Sequence, residues 1–464
     1  MTTSTRSATA RTTDDHATAD AATGRRRRLP VGVVVALSMV TGLVIALVLV
    51  LVAFAGAGEA VITGAALLGF ASGWALLAVL TAWLTDQPQR WPAVPAAVMA
   101  VTGAGLIAFG PGDGALTAAG WVWPLAALAL AVWMVRAARR GMTGRARWLL
   151  YPVIAAMAVT AVGGIVEGVA LTRDQGRNPI PGAMYDVGGH RMHLDCTGTG
   201  SPTVVLENGL GETSPLWSGI TAQVARTTRV CAYDRAGQGW SDDAAGPQDA
   251  LAVAADLHTL LARAGERGPY VLVGHSSGGA HAMTYDALYP TQVAGMVLLD
   301  SSSPQQFTAL PDFPRTYSLM RRLLPVLPSL GRLGALQLTP PSASSALTPS
   351  AAAQVRKFAT SPRGASSMRD EHSRLRDTFT RAQALTTFDP KPLAVVTSGQ
   401  NANGTTGWAA AQDQMAALST NSTHWTADTS HVGLLDDAVG STNSIRAIGA
   451  VVAAVRTGAP LASR

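Results

Sequence analysis

The sequence has little charge, little lysine and almost no cysteine. Of its 464 residues only 14% are charged, against roughly 25% in a typical soluble protein, whereas 48% are hydrophobic. These proportions exclude a disordered chain and a purely soluble enzyme. Two cysteines exclude a disulfide-rich scaffold and a multi-cysteine metal site, and we expect no metal and no cofactor. The length requires at least two structural units.

The net charge of +6 does not indicate a nucleic-acid partner. Only Lys357 and Lys391 are lysines, and many of the arginines flank apolar segments, where basic residues set membrane topology. No zinc-ligand spacing, aromatic RNA-binding motif or long basic helix accompanies them. We therefore expect no nucleic acid to bind.

The shortage of charge is concentrated in the first third of the chain. Between positions 29 and 135 the ionisable residues are Glu59, Asp86, Arg90 and Asp113. Five apolar segments, each near or above the roughly 20 residues that cross a bilayer, lie at 31–56, 60–85, 91–112, 114–135 and 148–171. None has an ionisable residue at its centre, which argues against an ion pathway. We predict a disordered basic arm over 1–30 and a five-helix membrane anchor over 31–172, with the lipid bilayer as its partner.

The placement of arginine predicts how this anchor is oriented. Four arginines at 25–28 and a second group between Arg136 and Arg147 belong on the cytoplasmic side. The links around Glu59 and Asp113 then lie outside, and the odd number of spans places everything after about residue 172 outside the cytoplasm. A cleaved signal peptide is the alternative for the first segment, but its apolar run exceeds the roughly 7–15 residues that are usual.

From Gly182 onward, short valine-rich strands alternate with amphipathic helices. The predicted strands are 183–187, 191–196, 202–207, 229–233, 270–273, 293–300, 393–398 and 424–426, and the main helices are 247–267 and 279–289. Such alternation predicts an α/β fold with a mostly parallel sheet covered on both faces. We expect this domain to occupy 173–464, with an inserted cap at about 301–391 that contains helices at 350–358 and 365–386.

The hexapeptide GHSSGG at 274–279 follows a predicted strand and precedes a predicted helix. It matches G-x-S-x-G, in which the nucleophile occupies a strained turn and its neighbours must be small. Gly274 and Gly278 are small, and the side chain of His275 is expected to point away from the pocket of the nucleophile. The pattern predicts Ser276 as a nucleophile rather than part of an ordinary Gly-Ser turn.

Together with ENGLGE at 207–212, DRAGQGWSD at 234–242 and SHVG at 430–433, this hexapeptide resembles the α/β-hydrolase family over roughly 180–460. The resemblance implies an eight-stranded sheet with a helical cap and a serine hydrolase that cleaves esters. It also implies that the backbone amides of Leu210 and Ser277 form an oxyanion hole, although Asn208 stands where the family often has histidine. The pair Asp234-Arg235 resembles a structural turn of the family.

The same resemblance assigns the general base and suggests its acid. Of nine histidines, His431 lies in the loop after the last strand, where the family has its base. The usual acid position, after the seventh strand, reads GQNANG at 399–404 and has no carboxylate. Asp300, at the end of the sixth strand, occupies a less common position and keeps the order Ser, Asp, His. Alternatively, Asp300 merely caps the next loop, with Asp413 and Asp428 as more distant candidates.

The strand order of the family also bears on the two cysteines. It places the second strand beside the fourth, and therefore predicts a Cys196–Cys231 disulfide, which an oxidising compartment outside the cytoplasm allows. Two buried free thiols are the alternative.

The predicted cap is basic. We expect its cations to form a solvated face, with anionic lipid head groups or an acidic substrate as alternatives; they are Arg321, Arg322, Arg332, Arg356, Lys357 and Arg363. Taken together, the sequence predicts a membrane-anchored serine hydrolase outside the cytoplasm, acting on a small-molecule or lipid-like ester. The alternative is an inactive hydrolase-like domain that binds a ligand or a partner protein.

Overall fold

The computed structural model describes residues 28–174, 180–244, 246, 248–338 and 346–461. Its first part is a bundle of helices: α1 (Val31–Val48), α2 (Glu59–Leu84), α3 (Ala93–Phe109), α4 (Asp113–Ala119), α5 (Trp123–Gly141) and α6 (Tyr151–Asp174). A π-helical turn, Leu49–Ala53, prolongs α1. The basic arm predicted for 1–30 lies almost entirely outside the described residues.

All five predicted apolar segments are helical, but two differ from the expected straight span. By length and composition α1 with its π-helical turn, α2, and α6 with the short turn before it can each cross a membrane. The fourth segment qualifies only as the pair α4 and α5, which are bent by 46°. The third is α3, whose 17 residues fall short of the roughly 20 that span a bilayer.

The links between these helices gather at two opposite ends. At one end, which we call the arginine end, the backbone N–H of Leu29 donates to Leu84, and the side chain of Gln89 donates to the carbonyl oxygen of Gly141. The other end, which we call the cap end, carries the starts of α2 and α4 and contacts the second half of the chain.

The second half is built on an eight-stranded sheet. Its strands are β1 (Ala183–Asp186), β2 (Arg191–Thr197), β3 (Thr203–Glu207), β4 (Val230–Tyr233), β5 (Tyr270–His275), β6 (Val293–Leu299), β7 (Leu393–Ser398) and β8 (Ser422–Ala427). They lie in the order β1-β2-β4-β3-β5-β6-β7-β8. The pairs β1–β2 and β2–β4 are antiparallel and the others are parallel, which confirms the predicted α/β sheet.

Helices cover both faces of this sheet. They are α7 (Ser218–Val224), α8 (Ala250–Arg263), α9 (Gly278–Leu288), α15 (Gly399–Gly404), α16 (Trp408–Ala416), α17 (Gly433–Asp436) and α18 (Ala438–Thr457). By composition α18 is itself a candidate membrane span. However, its Ile448 and Val451 are buried in one cluster with Val297 of β6 and Val396 of β7, so α18 belongs to the sheet domain.

The predicted cap lies between β6 and β7. Its helices are α10 (Gln306–Ala309), α11 (Phe313–Leu323), α12 (Leu327–Arg332), α13 (Pro349–Thr360) and α14 (Pro362–Ala382). The expected solvated face is wrong for two of its cations. Arg332 binds Glu59 at the start of α2 and Asp113 at the start of α4, and Arg363 pairs with Asp243 at 2.8 Å. These two arginines join the cap to both other parts of the molecule.

Candidate active site

Ser276 occupies the sharp turn between β5 and α9. Its φ of 54° lies in the left-handed region, which a residue with a side chain adopts only when its surroundings impose it. A Cβ on Gly278 would lie 2.6 Å from the carbonyl oxygen of Asn208, and one on Gly274 would lie 2.5 Å from the Cα of Gly279. The turn therefore requires glycine at both positions, as the sequence pattern predicts.

Asp300 is the second residue in this backbone conformation. Among the described residues other than glycine, only Ser276 and Asp300 have a positive φ, and that of Asp300 is 44°. Asp300 follows β6 directly and is fully buried, and its Oδ2 lies 2.6 Å from Nδ1 of His431. The carboxylate therefore contacts the imidazole and does more than cap the next loop.

The remaining hydrogen bonds of Asp300 come from the segment after β7. Its carboxylate accepts from the backbone N–H of Ser398 at 3.0 Å, the Ser398 hydroxyl at 2.6 Å, Asn401 Nδ2 at 2.6 Å and Trp408 Nε1 at 2.7 Å. Burial raises the pKa of Asp300, but the hydrogen bond and charge of His431 and the bonds from Ser398 outweigh it, so the pKa lies below its usual range. Asp300 is therefore ionised at neutral pH.

The segment 399–404, which lacks an acid, thus supplies one donor, Asn401, to the acid that follows the neighbouring strand. Sequence reasoning missed Ser398, Asn401 and Trp408 in this role. The one available signal was the amide at position 401, where the family often has a carboxylate.

The two distant acid candidates do not reach His431. Asp413 pairs with Nδ1 of His424 at 2.8 Å, and Nε2 of His424 lies 2.7 Å from the Thr397 hydroxyl. Asp428 forms no hydrogen bond or ion pair with any part of the chain that the structure describes.

The loop that carries His431 is held by His275 and Glu212. The Nε2 atom of His275 lies 3.0 Å from the carbonyl oxygen of His431, and the two rings are 4.5 Å apart. The side chain of His275 thus supports the loop that carries His431, a contact that the sequence did not predict. The Nδ1 atom of His275 lies 2.7 Å from Glu212. In the sequence, only the position of Glu212 in the ENGLGE motif indicated that this residue belongs to the site.

His275 and Glu212 form a charged pair. Burial lowers the pKa of His275, but the charge and hydrogen bond of Glu212 raise it above its usual value. Burial likewise raises the pKa of Glu212, but His275 and the N–H of Gly209 bring it below its usual value. The pair ties the loop of His431 to the loop after β3.

The loop after β3 is fixed by side chains on both sides. Asn208 donates to the carbonyl oxygen of Tyr233 at 2.8 Å and accepts from Trp217 Nε1 at 2.8 Å. Arg235 donates to the carbonyl oxygens of Asn208 and Gly209 at 2.6 and 3.0 Å. Asparagine in place of the usual histidine thus supports the loop, and Arg235 has the structural role predicted for it.

The backbone amides of Leu210 and Ser277 are free donors. Within the described parts of the chain neither forms a hydrogen bond. The hydroxyl of Ser276 likewise has no hydrogen-bond partner there, and its residue is half-buried beside Gly209. Hydrogen bonds between a nucleophile and its base are often long in the free enzyme and tighten when substrate binds.

The predicted disulfide is present. Cys196 of β2 and Cys231 of β4 lie opposite each other in the antiparallel pair, and their sulfur atoms are bonded. Both sulfur atoms lie close to Glu266, but a disulfide has no thiolate to bind a metal, so this cluster is not a metal site.

Comparison with known proteins agrees with this architecture. A family model described as the alpha/beta hydrolase fold matches residues 202–437. Bacillus subtilis YbdG is 29% identical over 128 residues, which are 27% of this chain and 39% of YbdG. The chain matches between 21% and 39% of the length of three curated relatives.

Two solved structures show the likeness over nearly their whole length. A thermophilic esterase from Thermogutta terrifontis is 21% identical, with a TM-score of 0.42, and the match covers 58% of this chain and 95% of the esterase. The enol-lactonase from Burkholderia xenovorans is 17% identical, with a TM-score of 0.44, and the match covers 58% of this chain and all of the lactonase. The match to the family model, with the sheet and the elbow described above, places this chain in the α/β-hydrolase family of enzymes.

Proposed function

We propose that this protein is a membrane-anchored serine hydrolase that cleaves a carboxylic ester outside the cytoplasm. Ser276 is the nucleophile, His431 is the general base and Asp300 orients His431. The backbone amides of Leu210 and Ser277 form the oxyanion hole.

One observation carries this proposal: an ionised, buried Asp300 lies 2.6 Å from Nδ1 of His431. Such a carboxylate holds the proton on Nδ1 and leaves Nε2 free to accept one. It also stabilises the imidazolium that forms during the reaction. A carboxylate that only capped the loop after β6 would not need to contact an imidazole in the loop after β8.

The reaction proceeds in two halves. Ser276 Oγ attacks the ester carbonyl while Nε2 of His431 takes its proton, and the carbonyl oxygen becomes an oxyanion held by the two amides. His431 then protonates the leaving alcohol, and the acyl group stays on Ser276. Water, deprotonated by His431, attacks the acyl-enzyme, and Ser276 recovers its proton as the acid leaves.

The membrane part of the proposal rests on the helix bundle and the distribution of arginine. We assign 1–30 to a cytoplasmic arm, 31–172 to the membrane region and 173–464 to the hydrolase domain, with the cap at about 301–391. Arg136 and Arg147 lie toward the arginine end, which the positive-inside rule places in the cytoplasm. The cap end and the hydrolase domain then lie outside.

A fluorophosphonate probe tests the nucleophile. The full-length protein should be labelled, and Ser276→Ala should lose both labelling and ester hydrolysis, with turnover falling by about 10⁴-fold or more. Ser277→Ala is the matched control, because it keeps the backbone amide that the oxyanion hole requires. An unlabelled wild-type protein would instead support the inactive, ligand-binding alternative.

Protease added to intact spheroplasts tests the orientation. Residues after about 180 should be digested while the arginine-rich links remain protected. Protection of the hydrolase domain until the cells are lysed would reverse the orientation.

A further inference from the structure

The cap is bound to the membrane helices through Arg332. This residue ends α12, and its Nε lies 2.5 Å from Glu59 Oε1, its Nη2 3.1 Å from Glu59 Oε2 and 2.5 Å from Asp113 Oδ1. The side chains of Arg332 and Glu59 are only 13% and 7% exposed. A bidentate arginine–carboxylate contact that is shielded from water fixes the geometry of its partners. The cap therefore has a defined position on the starts of α2 and α4.

The contact continues beyond this ion pair. Val326 of the cap packs on an apolar cluster that includes Val50 and Ile62 of the membrane helices. A Cβ on Gly334 of the cap would lie 2.9 Å from the carbonyl oxygen of Gly163 in α6, so the two backbones nearly touch. The cap and the membrane helices thus share a packed interface.

A cavity of about 490 Å³ lies beside this interface. One wall is the cap end of the membrane helices, at 58–61 and 110–113, and the other is helix α14 of the cap. Its inner lining includes Ser277 and His281, at the start of the helix that follows the nucleophile. Its volume is within the range of small-molecule pockets, roughly 300–1,000 Å³. The cavity therefore extends from the cap end of the membrane helices to Ser277, the residue next to Ser276.

Two buried nitrogen atoms and one cation of this cavity lack partners among the described residues. His281 is 8% exposed, and its Nδ1 has no hydrogen bond. The buried Nη1 of Arg369 has none either. Arg374, which is half-buried, forms no ion pair or hydrogen bond with the described residues. Because buried polar groups in proteins nearly always have partners, these groups indicate a polar ligand.

The cavity is also lined by five carboxylates, and all of them are paired with arginines: Glu59, Asp113, Asp243, Asp370 and Glu371. In the described parts of the chain the cavity has one cation left unpaired, which would meet an anionic ligand at the cap wall. Its other arginines are paired: Arg235 with Glu371, Arg363 with Asp243, and Nη2 of Arg369 with Asp370. Burial and the charge of Arg235 hold the pKa of His281 well below its usual range, so that its ring is neutral. The unmatched cation of the cap wall is Arg374, with the free Nη1 of Arg369 on the same helix.

We propose that this cavity binds the anionic group, a carboxylate or a phosphate, of an amphiphilic ester that approaches from the membrane surface. The proposal rests on the hydrolase activity proposed above and specifies its substrate class. Arg374 and Nη1 of Arg369 donate to the anionic oxygens, as charge-assisted hydrogen bonds require. The membrane helices then do more than anchor the enzyme, since their cap end forms one wall of the substrate site.

Competition between matched amphiphiles tests this site. The full-length protein in nanodiscs would hydrolyse p-nitrophenyl butyrate, with dodecyl phosphate, dodecanoate or dodecanol as competitor. Both anions should inhibit at concentrations at least about tenfold below that of dodecanol, the difference expected for hydrogen bonds to a charged group. Inorganic phosphate shows whether the anionic group binds without its chain.

The variant Arg374→Gln should abolish the preference for the anions. Arg381→Gln is the matched control, because Arg381 lies on the same helix but is 46% exposed and pairs with Asp377. Equal inhibition by dodecyl phosphate and dodecanol, or an unchanged preference in Arg374→Gln, would overturn the proposed site.

Calorimetric titration of dodecyl phosphate into Ser276→Ala separates this inference from the proposed function. Binding that depends on Arg374 supports the site even if wild-type protein hydrolyses no ester, an outcome that would refute the proposed function. Ester hydrolysis without Arg374-dependent binding would refute the site alone.

Discussion

Glycine serves different purposes in the membrane region and in the hydrolase domain. In the membrane helices it brings two backbones together: a Cβ on Gly42 would lie 2.7 Å from the Cα of Gly73, and one on Gly64 would lie 2.6 Å from the carbonyl oxygen of Gly103. In the hydrolase domain Gly278 makes room for a strained turn, in which Ser276 carries the unusual φ. The same residue type thus supports helix packing in one region and makes room for the sharp turn at the proposed nucleophile in the other.

Buried charged side chains also have different roles in the two regions. In the membrane region Glu59 lies at a helix start and is neutralised by an arginine of the cap. In the hydrolase domain Asp300 and Glu212 lie at the carboxyl ends of strands, where they hold His431 and its loop. Charge in the first region joins the domains, whereas charge in the second organises the candidate site. Variants of one region that lie away from the contact between the two should therefore leave the property of the other unchanged.

The largest effect is expected from Asp300→Asn. It should leave the fold intact but favour the wrong imidazole tautomer, so that turnover of a water-soluble ester falls by about 10⁴-fold. Asn401→Ala removes only one donor to the same carboxylate and should reduce turnover less than about tenfold. Steady-state kinetics measures both, and a nearly normal Asp300→Asn enzyme would refute the assignment of the acid.

The next largest effect is expected from removing the disulfide. Cys196→Ser opens a link between residues 35 apart in sequence, a constraint worth about 3–4 kcal/mol of unfolding free energy on the chain-entropy model. The thermal midpoint of the hydrolase domain in the full-length protein should fall, and reductant should lower the wild-type midpoint similarly. Alkylation of both cysteines in denatured, unreduced protein would contradict the bond.

A smaller effect is expected from Gly69→Leu in the membrane region. The new side chain would collide with the backbone of Ala46 in α1, at a cost of about 1–3 kcal/mol. Gly105→Leu is the matched control, because no atom lies within 4 Å of the Cβ position there. Thermal unfolding in detergent should separate the two variants, while turnover per folded molecule stays unchanged. An equal loss of stability in both would contradict the glycine packing.

The smallest effect is a dependence of stability on pH that arises from Glu207. Burial raises its pKa from 4.5 to about 7, despite the opposing charge of Arg235 and the hydrogen bond from Tyr233. Between these two values the folded protein binds more protons than the unfolded chain, so stability falls as pH rises through this window. Glu207→Gln should lack this decline, and its thermal midpoint relative to wild type should rise between pH 5 and pH 8. A constant difference would refute the raised pKa.

Some parts of the fold and of the site could be predicted because their signals are local. The strand β7, Leu393–Ser398, has its predicted bounds, because a short buried strand is a continuous apolar run. Ser276 was recognised because a strained turn requires small neighbours at fixed spacing. His431 and Asp300 needed the resemblance to a family, since many histidines and carboxylates fit the spacing equally well.

Other parts had no local signal. The contact of His275 with the loop of His431 joins residues 156 apart in sequence, and no local pattern indicates it. Composition likewise could not predict the bend between α4 and α5, because both helices are apolar. Only their packing distinguishes the pair from a single straight span.

By itself the sequence determined the five apolar segments, the alternating strands and the elbow, because hydrophobic periodicity and turn chemistry act over a few residues. Only the tertiary structure decided which distant polar groups meet. It gave Asp300 its donors from Ser398, Asn401 and Trp408, and it placed Arg332 between two membrane helices. The physical reason is that a buried charge must find partners wherever the fold brings them, and sequence separation does not limit that choice.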